Sequence, residues 1–475
     1  MLKMFENVDY EILQKANDFE FHSISYDSRE IQKGDIFVAM KGSKVDGNDY
    51  IEKAIKNGAV AVITDGKDID VSKYENVSFY YVNKLRENLG IIASNIYSYP
   101  QNKLKIIGVT GTNGKTTSTY ILESVLPNSS RIGTTGYRIL DENFESKNTT
   151  PESLDLIKLM AKSVEKGVEY FFMEVSSHAL SMGRVDALKF DGAIFTNLTQ
   201  DHLDYHKTID EYFKAKCKII SLLKEDAKLC VNIDDEYIRK LIGTSISIKD
   251  KNADFYGEIL EYTNNGMKIR VRHNNNVKEI TTKLVGEYNL HNILGVVAVL
   301  CNIGIDFEYI LDKISIMDSV VGRFELVEND KNARIVIDYA HTPDGLINVL
   351  STLRNITKNR LITIFGAGGD RDTTKRPLMA KAASIYSDYI ILTSDNPRTE
   401  DPKKILSDVE KGLIDSNYSS YKIIEDRAEA IKFGINMLEE NDSLIIAGKG
   451  HETYQIIGTK INHFSDKEEV QKCLK

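Results

Sequence analysis

The residues with the plainest chemistry lie at Gly108-Val-Thr-Gly-Thr-Asn-Gly-Lys-Thr-Thr117. The run in front of them, Lys105-Ile-Ile-Gly-Val-Thr110, is short and apolar, which predicts a buried strand; the segment Thr119–Leu126 behind them predicts a helix. Glycines such as Gly111 and Gly114 let the N–H groups of Thr112, Asn113 and their neighbours turn toward phosphate oxygens. Lys115 adds a point charge at the β- and γ-phosphates, the hydroxyl of Thr116 can ligate Mg²⁺, and Thr117 stands beside it. Val109 occupies the first glycine position of the strict G-x4-G-K-[ST] pattern, so the loop is a variant. A glycine-rich turn that binds nothing has little use for a lysine and two threonines. Phosphate binding is therefore the expectation.

A second group bears on where the phosphate goes. Glu174 ends an apolar run and opens Glu-Val-Ser-Ser-His178, and His202 lies in Thr196-Asn-Leu-Thr-Gln-Asp-His-Leu-Asp-Tyr-His206 after another such run. Oxygen-rich groups at strand ends beside a phosphate loop suit Mg²⁺. Each residue alone would more often cap a helix or sit on the surface, but together with Thr116 they predict a metal site. Lys216, in Tyr212-Phe-Lys-Ala-Lys216, reads on spacing alone as a solvated helix residue. Asp395-Asn-Pro-Arg398 reads on its own as a proline turn with a solvated arginine.

The elements that must hold these residues follow one pattern. Apolar runs at Tyr170–Val175, Gly192–Asn197, Arg334–Tyr339, Leu361–Gly366, Tyr389–Ser394 and Ser443–Gly448 each end in a polar or glycine-bearing turn and precede a helix-length segment. That is the α/β doubly wound signature, with ligands at the carboxyl ends of the strands. Residues 1 to about 100 add strand-like runs at Ile36–Ala39, Ala59–Ile63 and Ser78–Val82 and a helix at Ile51–Asn57. A chain of 475 residues exceeds what one core supports, so several domains are expected. The net charge of -9 provides no basic field for nucleic acid or an anionic membrane. Cys217, Cys230, Cys301 and Cys473 show no CxxC pairing, which points to a reducing compartment rather than a zinc site or disulfide framework. Met1–Glu11 lacks a signal-peptide core, and the longest apolar run, Ile293–Ile305, is too short to span a bilayer. A cytosolic protein without a membrane span is the expectation.

The motifs above, joined by Gly286-Glu-Tyr-Asn289 with Asn292, Gly322-Arg-Phe-Glu325 and Asp338-Tyr-Ala-His-Thr-Pro343, occur in order and together resemble the Mur ligases of peptidoglycan synthesis. Within that family the chain is similar to the members that add the third residue of the stem peptide, over about Asp27 to Glu452. The resemblance implies an α/β fold of three domains. Residues 1–100 would bind the UDP-muramoyl peptide, 101–322 would form a central P-loop ATPase domain with a mostly parallel sheet, and 323–475 a Rossmann-like amino-acid domain. It implies that Lys216 is carbamylated by CO₂ (N6-carboxylysine), an anionic oxygen ligand for a second Mg²⁺ with Glu174 and His202, in a site that depresses the lysine's basicity. Lys115, Lys216, His202 and Glu174 would then form the catalytic set. Asn289, Asn292, Arg323 and Asp338 become contacts to ATP, Asp338 at the ribose. Ser28, Thr149, Thr150, Ser176 and Arg184 become contacts to the UDP-muramoyl dipeptide. Met182 departs from the pattern, because several relatives carry Gln there, so no polar contact is expected from it.

The resemblance also chooses the amino acid. Asp395-Asn396-Pro397-Arg398 accompanies family members that use meso-diaminopimelate, and lysine-adding members lack the arginine. Diaminopimelate is lysine with an extra carboxylate at its far end, which a guanidinium can grip bidentately. Arg376 is expected at a carboxylate of the same amino acid, and Gly448 and Glu452 at its ammonium end. The implied activity is ATP-dependent addition of meso-2,6-diaminopimelate to UDP-N-acetylmuramoyl-L-alanyl-D-glutamate through an acyl phosphate, in a monomer acting on small molecules. The alternatives are lysine addition by the same fold, a folylpolyglutamate-type synthetase, and a non-catalytic nucleotide switch. A kinase or nucleic-acid motor is disfavoured by the acidic balance.

Overall fold

The structure, a computed structural model, describes residues 2–16, 20–42, 45–263 and 266–474. It divides into two compact units, Met1–Gly108 with Asn128–Asp191 and Ala215–Glu225, and Val109–Pro127 with Gly192–Lys214 and Asp226–Lys475.

In the first unit, the strands Ile24–Ser25, Ile36–Ala39, Ala61–Thr64 and Ser78–Tyr81 run parallel, and Glu11–Gln14 closes one edge antiparallel. Phe37, Ala39, Val62 and Phe79 pack from this sheet against Ile51 and Ala54 of the helix Ile51–Lys56. The expected strand at Ala59 begins two residues later, since Ala59 N–H still bonds to Ala54 O of the preceding helix, while Val60 N–H reaches Asp35 O beside the neighbouring strand. A second layer pairs Ser129–Gly133 parallel with Tyr170–Glu174 and extends antiparallel to Gly136–Ile139 and Glu142–Phe144.

The second unit holds the phosphate-loop helix, Lys115–Val125, which begins on the lysine itself rather than at Thr119. Gly114 in the left-handed region (φ 86°) ends the loop and lets the first helical turn start at once. The apolar run that begins at Ile293 lies in the helix Glu287–Asn302, where every residue from Leu290 to Leu300 except His291 is buried. A helix hydrophobic all round is a core helix. Among the described residues no helix is long and apolar enough to cross a membrane. Phe255–Thr263, Gly266–His273 and Asn276–Thr282 form an antiparallel meander.

The C-terminal part of this unit is a six-stranded sheet in the order Glu325–Val327, Arg334–Asp338, Ser443–Ala447, Leu361–Phe365, Tyr389–Leu392, Tyr421–Ile423. All but the first strand are parallel. The interiors of its central strands are largely apolar because both faces are covered. Ile335, Ile337, Ile362, Ile364, Leu444 and Ile446 meet the helices Arg427–Asn436 and Asp466–Leu474. The alternate residues Val336, Leu361, Phe365, Ile390, Ile445 and Ala447 meet Pro343–Ile356, Lys375–Tyr386 and Pro402–Asp415. This period-two split leaves the strand ends as the natural place for chemistry.

Candidate active site

In the second unit, the phosphate loop is held open by close backbone packing. A Cβ on Gly111 (φ 141°) would collide with Thr196 Oγ1, and one on Gly114 with Asn292 Oδ1. Thr112 N–H donates to Asn197 O at 2.9 Å and Asn113 N–H to Asn197 Oδ1 at 2.9 Å. Lys115 Nζ donates to its own loop at Gly111 O (2.9 Å) and Thr112 O (2.8 Å), where phosphate oxygens would compete for it. Thr116 Oγ1 accepts from Arg323 Nη2 at 3.2 Å, while that guanidinium lies 4.5 Å over the Tyr339 ring and its Nε finds no partner among the described residues. Thr117 is buried beside them.

Asn289 and Asn292 stand one helical turn apart and are joined by Asn292 Nδ2 donating to Asn289 Oδ1 (3.2 Å). Asp338 accepts from the N–H groups of Phe324 and Ala340, both at 2.7 Å; burial nevertheless pushes its carboxyl above the ordinary range. Gly114, Thr117, Asn292, Arg323, Asp338 and Tyr339 line one cleft. The expected nucleotide residues are thus gathered in this unit. A residue without a role in the sequence reading joins them: Asp344 accepts from Asn113 Nδ2 (2.9 Å), Thr199 Oγ1 (3.1 Å) and Asn348 Nδ2 (3.2 Å). Its signal was an acid directly after a helix-starting proline.

His202 sits in the left-handed region (φ 54°) with its Nε2 3.5 Å from Asp201 Oδ2. Burial works to raise the Asp201 carboxyl, but His202, His341 and Lys375 outweigh it and hold it low. His341 itself is pushed down by burial and by Lys375.

The amino-acid residues also converge within the second unit, at the ends of Leu361–Phe365, Tyr389–Leu392 and Ser443–Ala447. Asp395, Asn396 and Pro397 are buried; Arg398 is half-buried, in the left-handed region (φ 52°). Arg398 Nη1 donates to Gly369 O at 2.7 Å, and its backbone pairs with the hairpin strand Tyr454–Ile457 through Arg398 N–H to Ile456 O (3.1 Å) and Gly458 N–H to Arg398 O (2.7 Å). The solvated-turn reading therefore fails: the turn is pinned on both sides. Asn396 Nδ2 donates to Glu452 Oε2 at 2.9 Å, and Gly448 N–H to Asp338 O at 3.0 Å. Arg376 is fully buried and already committed, with Nη2 2.8 Å from Glu400 Oε1 and Nη1 3.1 Å from Asp408 Oδ2. Both of its Nη groups are thus engaged by carboxylates of its own domain.

In the first unit, Thr149, Thr150, Ser176 and Arg184 come together. Thr150 Oγ1 donates to Glu174 O (2.8 Å) and accepts from Ser176 N–H (3.0 Å); Thr149 Oγ1 lies 3.0 Å from Thr134 Oγ1. Arg184 reaches Thr150 O (3.0 Å) and Glu152 Oε1 (2.9 Å) and also donates to Met182 Sδ (3.5 Å), so the thioether supplies an acceptor after all. Glu152 lines a pocket of about 450 Å³ with Ser28, Tyr26, Arg29 and Arg86. Glu174 is buried and accepts from Thr134 N–H (3.0 Å) and Oγ1 (3.2 Å). Lys216 is 1% exposed, which overturns the solvated-helix reading: on the helix Ile209–Ser221 it shares the buried face of Ala215 and Ile219. Among the described residues no three His, Cys, Asp or Glu side chains are gathered for a metal. The expected magnesium set mixes a hydroxyl, a carboxylate, an imidazole and a lysine that gains oxygens only as a carbamate.

Known proteins carry the same framework. Residues 20–97 match the Mur ligase family, catalytic domain; 109–300 the Mur ligase middle domain; and 322–450 the Mur ligase, glutamate ligase domain. The UDP-N-acetylmuramoyl-L-alanyl-D-glutamate--2,6-diaminopimelate ligase of Fusobacterium nucleatum subsp. nucleatum is 49% identical over 478 residues, covering 98% of this chain and 97% of its own. A solved structure of a ligase of the same name matches with a TM-score of 0.67 at 33% identity, over 96% of this chain and 94% of that one. The MurF ligase of Thermotoga maritima in complex with ADP shares the fold at a TM-score of 0.66 and 18% identity, over 95% and 97%. An identity of 49% sustained along nearly the whole of both chains leaves no room for a borrowed motif, and this chain belongs to the Mur ligase family.

Proposed function

We propose that this chain is an ATP-dependent ligase that adds meso-2,6-diaminopimelate to UDP-N-acetylmuramoyl-L-alanyl-D-glutamate in cell-wall synthesis. The observation that carries this reading is the pinned turn at Asp395–Arg398, which sets a guanidinium and the Asn396–Glu452 pair at the ends of one parallel sheet. Residues 1–100 would hold the UDP-sugar, 101–322 the ATP, and 323–475 the amino acid, in a monomer of the cytoplasm. Lys115 turns from its loop carbonyls to the phosphates, and the γ-phosphoryl group passes to the γ-carboxylate of the D-glutamyl residue. The amine of diaminopimelate then attacks the acyl carbon; its nitrogen loses a proton, the C–N bond forms and phosphate leaves. Arg398 grips the distal carboxylate and Glu452 the ammonium beside it. Ser28, Thr149, Thr150, Ser176 and Arg184 hold the UDP-dipeptide. Asn289, Asn292, Arg323 and Asp338 hold the nucleotide. Thr116, Glu174, His202 and the carbamate of Lys216 would hold magnesium, which neutralises charge on the phosphates when bound; hydroxyl and carboxylate oxygens suit that ion.

The test is phosphate release across a panel of amino acids with the UDP-dipeptide and ATP present. Diaminopimelate should support turnover, lysine should not, and ADP should appear only when both co-substrates are supplied. Arg398→Ala should lose diaminopimelate activity about 100-fold, the loss expected when a charged partner is removed. Equal rates with lysine would overturn the choice of amino acid, and ADP formation without the dipeptide would overturn the reaction.

A further inference from the structure

Between Gly448 and Glu452 stands a lysine to which the reaction as drawn gives no task. Lys449 is fully buried. Its ammonium lies 3.1 Å from Glu452 Oε2, 3.2 Å from Asn396 Oδ1 and 3.5 Å from Asp395 Oδ1. A buried ammonium is costly unless its three donors are met, and here three acceptors surround it.

The consequences run through its neighbours. Asn396 Oδ1 accepts both from Lys449 and from Ile456 N–H (2.9 Å), so the oxygen is fixed on that side. The Nδ2 group must then face Glu452 Oε2, as it does. An amide set by two donors on its oxygen has one orientation, not two. Glu452 Oε2 takes both donors, while Oε1 makes no hydrogen bond among the described residues and is the oxygen left for an incoming ammonium.

We propose that Lys449 is a positioning residue which fixes the orientation of Asn396 and the charge of Glu452, and so sets the affinity of this pocket for the ammonium group of the amino acid. This rests on the proposed function. With Lys449 the trio of Lys449, Asp395 and Glu452 carries one net negative charge, complementary to one ammonium. Without it nothing opposes the burial and the Asp395 charge that raise the Glu452 carboxyl, which then takes up a proton more readily. The charged and titratable groups around Glu452 are Lys449, Asp395, Arg427, Tyr339 and Tyr454. Burial already pushes its carboxyl above the ordinary range and Asp395 adds to this, while Lys449 pulls the other way.

The experiment uses the full-length chain, with ATP, UDP-dipeptide and diaminopimelate. Wild type must first turn over diaminopimelate; failure there sinks the proposed function, not the role of Lys449. In Lys449→Met the KM for diaminopimelate should rise about tenfold or more, the loss expected for a hydrogen-bonded charge, while the KM values for ATP and UDP-dipeptide move less than about twofold. The acid limb of kcat/KM for diaminopimelate should shift upward in pH, and Lys449→Arg should return it part of the way. Glu452→Gln should abolish that limb. An unchanged diaminopimelate KM and limb in Lys449→Met, or a parallel rise in all three KM values, overturns the proposal. If Lys449→Met does not fold, an acid limb that survives in Glu452→Gln overturns it equally.

Discussion

The most exposed wager on this fold is a buried charge. Arg427 and Asp466 are both fully buried, joined by Nε to Oδ1 at 2.7 Å and Nη2 to Oδ2 at 2.8 Å. Arg427 Nη2 also donates to Ala447 O at 3.0 Å, the carbonyl immediately before Gly448. Asp466 opens the C-terminal helix Asp466–Leu474, so one ion pair ties that helix to the strand end that carries Gly448, Lys449 and Glu452. Asp466→Asn leaves a guanidinium in the core without its hydrogen-bonded countercharge. Breaking a buried pair in this way costs about 3–5 kcal/mol. For a unit as large as the one holding this pair, 1 kcal/mol shifts the melting temperature by about 2 °C, so the loss should be on the order of 5–10 °C. The double variant Arg427→Leu/Asp466→Leu removes both charges and should recover most of this. It should still fall short of wild type by about 1–3 kcal/mol, because the Ala447 carbonyl loses its donor. Calorimetry of the three proteins at neutral pH reads this directly. A single variant that melts within 2 °C of wild type, or a double variant less stable than the single, would refute the reasoning.

Two further outcomes are expected. Lys216→Ala should collapse turnover and should not be rescued by added bicarbonate, because no amine remains to carry the carbamate; near-normal phosphate release would remove Lys216 from the catalytic set. Asp442 is buried: burial works to raise its carboxyl, but Arg360 and the N–H of Glu439 hold it below the ordinary range. A carboxyl depressed on folding contributes stability above its unfolded value near pH 3.9 and loses that contribution as pH falls through the folded value. Melting temperature measured from pH 6 to pH 2.5 should therefore fall more steeply below about pH 4 in wild type than in Asp442→Asn, and parallel curves would count against it.

What the sequence disclosed follows the physics of each element. Strands buried on both faces, such as Arg334–Asp338 and Ser443–Ala447, are apolar runs with abrupt ends, and their expected positions hold to within a residue or so. The meander Phe255–Thr263, Gly266–His273, Asn276–Thr282 carries the alternation of a half-buried sheet, as in Met267-Lys-Ile-Arg-Val-Arg272, rather than the unbroken apolar runs on which the strand reading rested. Strand starts slipped at Gly192, where the structure begins the strand at Phe190, since the flanking Asp191 reads as a loop residue. There Asp191 accepts from Ile106 N–H at 2.8 Å instead.

At the site, the glycines before Lys115 announce themselves, whereas Glu174 and Asp395–Arg398 read singly as a cap and a solvated turn and gain meaning only in order with the other motifs. Lys449 and Asp344 were silent because their role lies in what they hold. Asp344 lies in the first turn of its helix, yet it gathers Asn113 and Thr199 from two other segments along with Asn348 of its own helix. Nothing local in the sequence marks Lys449 for burial. Only folding, which carries Asp395 and Asn396 from another strand end to within 3.5 Å of its ammonium, turns it from a solvated charge into the counter-ion of a pocket. Arg398 shows the same logic inverted. Its motif is conspicuous, but the hairpin Tyr454–Ile457 with Lys460–His463 that pins its backbone carries no motif at all. On the proposed function, selectivity for a distal carboxylate would therefore depend on an unmarked element as much as on the marked arginine, and swapping the arginine into a relative without that support should transfer little of it.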